Sequence, residues 1–135
     1  MSAPLFTADD LIHQYSRAQA IAAGDLVDVT STAAEFGVLC PVAITRAAWA
    51  CCVTWTRRDI YQEEHGRLLD VCAMLALALR VAKARPVDGP RMGFGVMRIP
   101  NHGRGCEPRP VRLAVVVGPG DEGEMVLTVM LPEED

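Results

Sequence analysis

Between Leu68 and Leu79 the chain carries a single polar side chain, Asp70. The run is shorter than the roughly 20 apolar residues that a membrane-spanning helix requires. It is bracketed by Glu63 and Glu64 on one side and by Arg80, Lys83 and Arg85 on the other. Acids at the start and bases at the end complement a helix dipole, so a helix is predicted from about Glu63 to Ala84. Pro86 stops it, because proline has no backbone N–H to continue the ladder. A helix apolar on nearly every side is expected to have neighbours on several sides. It is therefore predicted to form the centre of the core.

The rest of the chain arranges itself around that helix and changes character near Pro86: apolar spacing is helical before it and alternating after it. Thr7 is the expected N-cap of a first helix, with Asp10 three positions later and Leu11, Tyr15, Ala18 and Ala22 forming its apolar series. Gly24 closes that helix, and Leu26 covers its last turn. Thr32 and Glu35 have capping-box spacing for a helix of a turn or two that ends at Gly37. After Pro41, Val42 to Ile44 is extended. Thr45 then caps a helix with Trp49, Cys52, Val53 and Thr56 on one face. Strands are predicted over Met92 to Ile99, Val111 to Val117 and Met125 to Leu131. Val111, Leu113, Val115 and Val117 share one face, and the glycine-rich turn Gly118 to Gly123 joins the last two strands as a hairpin. The expected fold is α+β: three to four helices packed on a C-terminal three-stranded antiparallel sheet. It is read as a single domain over residues 1–135, with a helical part over about 7–85 and a β-meander over about 91–132.

A chain of 135 residues, 50% hydrophobic and 22% charged, buries about two thirds of its unfolded surface and needs no disulfide or metal to hold a core. Cys40, Cys51, Cys52, Cys72 and Cys106 are odd in number and lack CxxC spacing. Reduced thiols are expected. Met1 to Asp10 shows no basic flank followed by an apolar run, so no signal peptide and a cytoplasmic location are expected. No membrane span is expected.

Charge is distributed unevenly. Of 13 basic residues, 12 are arginine. Eight bases and two acids fall between Arg80 and Arg112, whereas Gly118 to Asp135 holds six acids and no base. Guanidinium groups grip phosphate or carboxylate in two places, so Arg98, Arg104, Arg109 and Arg112 are candidates for binding an anion. A composition that simply favours arginine, neutralised by the acidic tail, explains the same pattern. The segment Arg91 to Ile99 resembles in outline the RNA-binding strand of a β-sheet recognition domain. Only Phe94 is aromatic, however, so a core strand is expected instead of a stacking platform. His102 and Cys106 share a loop, but no further metal ligands and no orienting third group accompany them; no metal site and no catalytic residue are assigned. The pairs Asp9-Asp10 and Glu63-Glu64 stand at predicted helix starts, where they favour the dipole. Gly118-Pro119-Gly120 lacks the Lys-Ser or Lys-Thr of a phosphate cradle.

Leu11 to Ile21, Gly24 to Thr30, Pro41 to Thr45 and the ending Val129 to Asp135 together resemble a family of small bacterial proteins of unknown function, common on plasmids, phages and integrative elements. The resemblance spans the chain and carries no known active residues. It implies an accessory protein of a mobile element. The expected function is non-enzymatic binding of a host protein or complex, as in an inhibitor of a host defence complex such as a CRISPR effector. Acidic residues there imitate nucleic acid, with Asp121, Glu122, Glu124, Glu133, Glu134 and Asp135 as the candidate contacts. The alternative is a small anion-binding or nucleic-acid-binding protein acting through Arg98, Arg104, Arg109 and Arg112. No cofactor is expected, and a homodimer is compatible with either reading.

Overall fold

The structure, a computed structural model, describes residues 15–84 and 89–134. Ser16 opens helix α1 (Arg17–Ala23) with a reciprocal cap: its hydroxyl accepts from the Gln19 N–H at 3.0 Å, and the Gln19 side chain accepts from the Ser16 N–H at 2.8 Å. The start expected at Thr7 lies outside the described residues. Gly24 closes α1 in the left-handed conformation, φ 84°. Leu26 does more than cover the preceding turn, because it begins strand β1 (Leu26–Asp28). Helix α2 (Thr30–Ala34) starts earlier than the capping-box spacing suggests, with Val29 at its N-cap and Glu35 at its C-cap. The Asp28 carboxylate accepts from the N–H and hydroxyl of Thr30, and this local competition moves the first turn forward.

Strand β2 (Val42–Thr45) leads directly into helix α3 (Arg46–Cys52). Thr45 caps it as expected, accepting from the Ala48 N–H at 3.2 Å. Thr56 lies beyond the end of α3, although Cys52 and Val53 are buried. Helix α4 (Glu64–Ala84) matches its predicted span within one residue. Strands β3 (Arg91–Arg98), β4 (Arg109–Pro119) and β5 (Met125–Met130) form the expected antiparallel meander.

The sheet itself is larger than expected. It has five strands in the order β1-β2-β5-β4-β3, with β2 parallel to β5 and the other pairs antiparallel. A three-stranded antiparallel sheet at the C-terminus is therefore incorrect. The meander leaves one side of β5 with unpaired backbone groups, and Val42 to Ile44 supplies partners in the register Val42↔Leu127 and Ile44↔Val129. A strand of four residues whose first three, Val42 to Ile44, are all apolar has no alternation to reveal its pairing. The helical part and the meander thus share one sheet.

One sheet face carries the core. Val42, Ile44, Phe94, Val96, Leu113, Val115, Leu127 and Val129 meet Leu68, Val71, Cys72, Leu75 and Ala76 of α4, all buried. Each fully buried Val or Leu contributes about 1.5–3 kcal/mol relative to exposure. Those α4 positions form a stripe at i, i+3, i+4, i+7 and i+8. The expectation of cover on several sides fails here: Met74, Leu77 and Val81 are 37%, 48% and 54% exposed. On the opposite sheet face, Arg17 of α1 donates to the Thr128 hydroxyl at 2.8 Å and to the Leu127 carbonyl at 2.7 Å.

Candidate functional site at the open edge of the sheet

Strand β3 ends the sheet, and its backbone shows which groups remain unpaired. The Val117 N–H donates to the Pro90 carbonyl at 2.8 Å, and the register continues as Met92↔Val115, Phe94↔Leu113 and Val96↔Val111. Alternation in an antiparallel ladder therefore turns the N–H and C=O groups of Arg91, Gly93, Gly95 and Met97 outward. The Met97 carbonyl accepts from Arg98 Nε at 2.7 Å. Among the described residues, the other outward groups have no partner from a neighbouring strand.

Apolar surface flanks this edge. A hollow of about 370 Å³ is lined by Met74, Leu77, Val81, Met92, Gly93 and Phe94, among others. A second, of about 410 Å³, reaches from Asp70 and Met74 over Gly95 and Met97 to Arg112. Sharing Met74 and Gly95, the two make one groove along β3. Eight strand residues at about 3.3 Å each span about 26 Å.

Arg112 lies on the sheet face opposite the core. A Cβ on Gly93 would stand 2.8 Å from Arg112 Nη2, and one on Gly95 would stand 3.5 Å from Arg112 Nη1. The guanidinium thus rests over two positions that have no side chain. It makes no hydrogen bond or ion pair among the described residues.

The other candidate arginines separate by role. Arg98 is buried, donating to the carbonyls of Cys52 and Arg67 at 3.1 Å each and to Asp70 at 2.7 Å. It is a staple between β3, α3 and α4. Arg104 and Arg109 are exposed and have no carboxylate partner among the described residues. Two staples went unnoticed in the sequence. Arg67 is buried, donates to the Val53 and Ile99 carbonyls, and stacks 4.8 Å from the Trp55 ring. Burial and the nearby Arg98 charge lower its pKa. Arg57, 5.3 Å from the same ring, donates to the Pro100 and Gly105 carbonyls.

The acidic candidates fall into two groups at opposite ends of β5. Asp121 accepts from the N–H groups of Arg17 and Ala18 at 2.8 and 3.0 Å. These donors hold its carboxyl below the usual range. Glu124 accepts from the Glu122 N–H. At the far end, Glu134 accepts from the Thr45 hydroxyl and the Leu131 N–H, and Arg91 donates to the Pro132 and Glu134 carbonyls. Glu122, Glu124 and Glu133 are exposed. Asp135 lies outside the described residues.

A third hollow, about 670 Å³, is lined by Cys51, Arg98, His102 and Arg109, among others, and shares Arg98, Pro110 and Val111 with the groove. No hydrogen bond joins Cys51 to His102 among the described residues. Cys106 is exposed and contacts the carbonyl of Arg104, 3.6 Å away in its own loop. His65 sits in the first turn of α4. Among the described residues, no group of three His, Cys, Asp or Glu could hold a metal ion. No helix there is long and apolar enough to cross a membrane.

The fold and groove define an α+β protein with a mixed five-stranded sheet whose β3 edge has no further strand beside it among the described residues. The chain matches a family of unknown function, DUF6573, over residues 2–135, and belongs to that family. No curated protein and no solved structure matches it.

Proposed function

We propose that this chain is a non-enzymatic accessory protein that binds a host macromolecule, with the open β3 edge and the bare flank of α4 as its contact face. The observation that carries this reading is the exposure of Met74, Leu77, Val81 and Met97 beside a strand that, among the described residues, pairs on one side only. Soluble proteins usually cover or blunt a sheet edge, and apolar patches left open beside one mark interaction sites. The resemblance to proteins of bacterial mobile elements supports a cytoplasmic, stoichiometric role: inhibition of a host defence complex such as a CRISPR effector. The exposed Glu122, Glu124 and Glu133 add an electrostatic contact away from the groove. The test is affinity capture from a bacterial host, followed by mass spectrometry, with wild type and a Leu77→Asp/Val81→Asp variant in parallel. A partner specific to this face is retained by the wild type alone; equal capture by both removes the reading.

A second reading rests on the guanidinium groups of Arg104, Arg109 and Arg112, which have no carboxylate partner among the described residues and suit an anion or nucleic acid. Each phosphate contact on duplex DNA lowers log affinity by about 0.9 per tenfold rise in salt. A gel shift showing no retarded band even at low salt eliminates it.

A further inference from the structure

We infer that the β3 edge takes an extended segment of a partner protein in which acidic and aliphatic residues alternate, added to the sheet as a sixth strand. The inference rests on the docking face proposed above and specifies its occupant. Strand addition needs outward backbone groups, and Gly93 and Gly95 offer both an N–H and a C=O each with no side chain to obstruct approach. Alternation then decides what the added strand must carry. Residues opposite Gly93 and Gly95 point to the same sheet face as those glycines, beside the Arg112 guanidinium. Residues opposite Phe94 and Val96 point to the α4 side, where Met74 and Leu77 are exposed. One side of the segment therefore meets a cation that has no carboxylate partner among the described residues, and the other meets aliphatic surface.

Charge also selects against a second copy of this chain. Pairing β3 with β3 about a two-fold axis perpendicular to the sheet would place both Arg112 guanidinium groups on the same face of the joint sheet. The two cations would converge at the seam, a like-charge juxtaposition that specific interfaces avoid. An acidic strand converts the same geometry into an attractive one.

The experiment is an amide NMR titration of the full chain with two capped eight-residue peptides, one alternating Asp and Val and the other alternating Lys and Val. The expected result is movement of the Gly93 and Gly95 resonances with the Asp peptide, and binding at least about fivefold tighter than that of the Lys peptide. Arg112→Gln removes the preference, Arg112→Lys retains it, and Leu77→Asp weakens both peptides. The amide dispersion of each variant reports that it is folded. Equal binding of the two peptides, abolished by Leu77→Asp, overturns the acidic specificity while leaving the docking face standing. Failure of both peptides to shift the glycines overturns strand addition itself. Two further results also overturn the inference: tighter binding of a single-stranded oligothymidylate that depends on Arg112, or a concentration-dependent dimer that Leu77→Asp dissociates.

Discussion

Arg98 and Asp70 meet at 2.7 Å with opposite environments, the arginine side chain 5% exposed and the aspartate 66%. The pair is therefore unequal in its consequences. Arg98 also satisfies the carbonyls of Cys52, Arg67 and Met97, whereas Asp70 stays hydrated with or without its partner. Arg98→Ala is expected to cost about 2–5 kcal/mol, because it strands the Cys52 and Arg67 carbonyls and opens a cavity. Asp70→Asn is expected to cost less than about 1 kcal/mol. Urea denaturation of the two variants checks the order; a larger loss for Asp70→Asn would refute this assignment of roles.

The glycines of β3 and of the α1 cap differ in what a methyl group meets. At Gly93 the obstacle is the mobile end of Arg112, so Gly93→Ala moves the guanidinium and changes stability by only about 0.5 kcal/mol. Gly24 has φ 84° with open space around it. Gly24→Ala is expected to lose about 1 kcal/mol through backbone strain alone. Thermal melts read both, and the larger drop belongs to Gly24→Ala.

Burial pushes the Cys52 and Cys72 thiols up to about 12 and about 11, from an ordinary value of 9.0. At pH 8 a thiol reagent should label the exposed Cys51 and Cys106 first, and Cys52 and Cys72 only after denaturation. The unfolded chain ionises these two thiols at lower pH than the folded one. Their contribution to stability is therefore complete below about pH 9 and declines as pH rises toward the folded values. Urea midpoints measured from pH 8 to pH 11 should fall accordingly, and Cys52→Ala/Cys72→Ala should flatten that dependence.

Asp121 caps α1 from a distant turn, accepting from Arg17 and Ala18. Its folded pKa lies below the ordinary value of 3.8, so the contact is intact above that value and is lost as pH falls through the folded pKa. Asp121→Ala should accelerate hydrogen exchange of the α1 amides and leave those of β4 unchanged. Equal acceleration throughout the chain would assign Asp121 to global stability instead.

Much of the local structure was legible because its causes are local. The charges around α4, the Thr45 cap, the left-handed Gly24 and the alternation of β4 each act within a few residues. The capping-box spacing at Thr32 does not set the start of α2, because the Asp28 carboxylate captures the Thr30 N–H first, which depends on one side-chain geometry. The sequence marks β2 as extended but not as a sheet member, since its partner β5 lies about 85 residues away. The arginine cluster read as one surface resolves into a buried staple, Arg98, and solvent-facing groups, because burial is a property of packing that adjacency in sequence does not report.

From the sequence alone came the helix that organises the core, the three strands of the meander and an excess of aliphatic side chains on α4. Those follow from periodicity and from capping chemistry, which operate over one or two turns. Tertiary structure alone decided which α4 side chains the sheet covers, that β1 and β2 extend the sheet past β5, and that β3 is left at its margin with Arg112 above its glycines. The difference is one of range: hydrophobic pattern states how much surface must be hidden, while only the placement of distant strands determines which part remains uncovered.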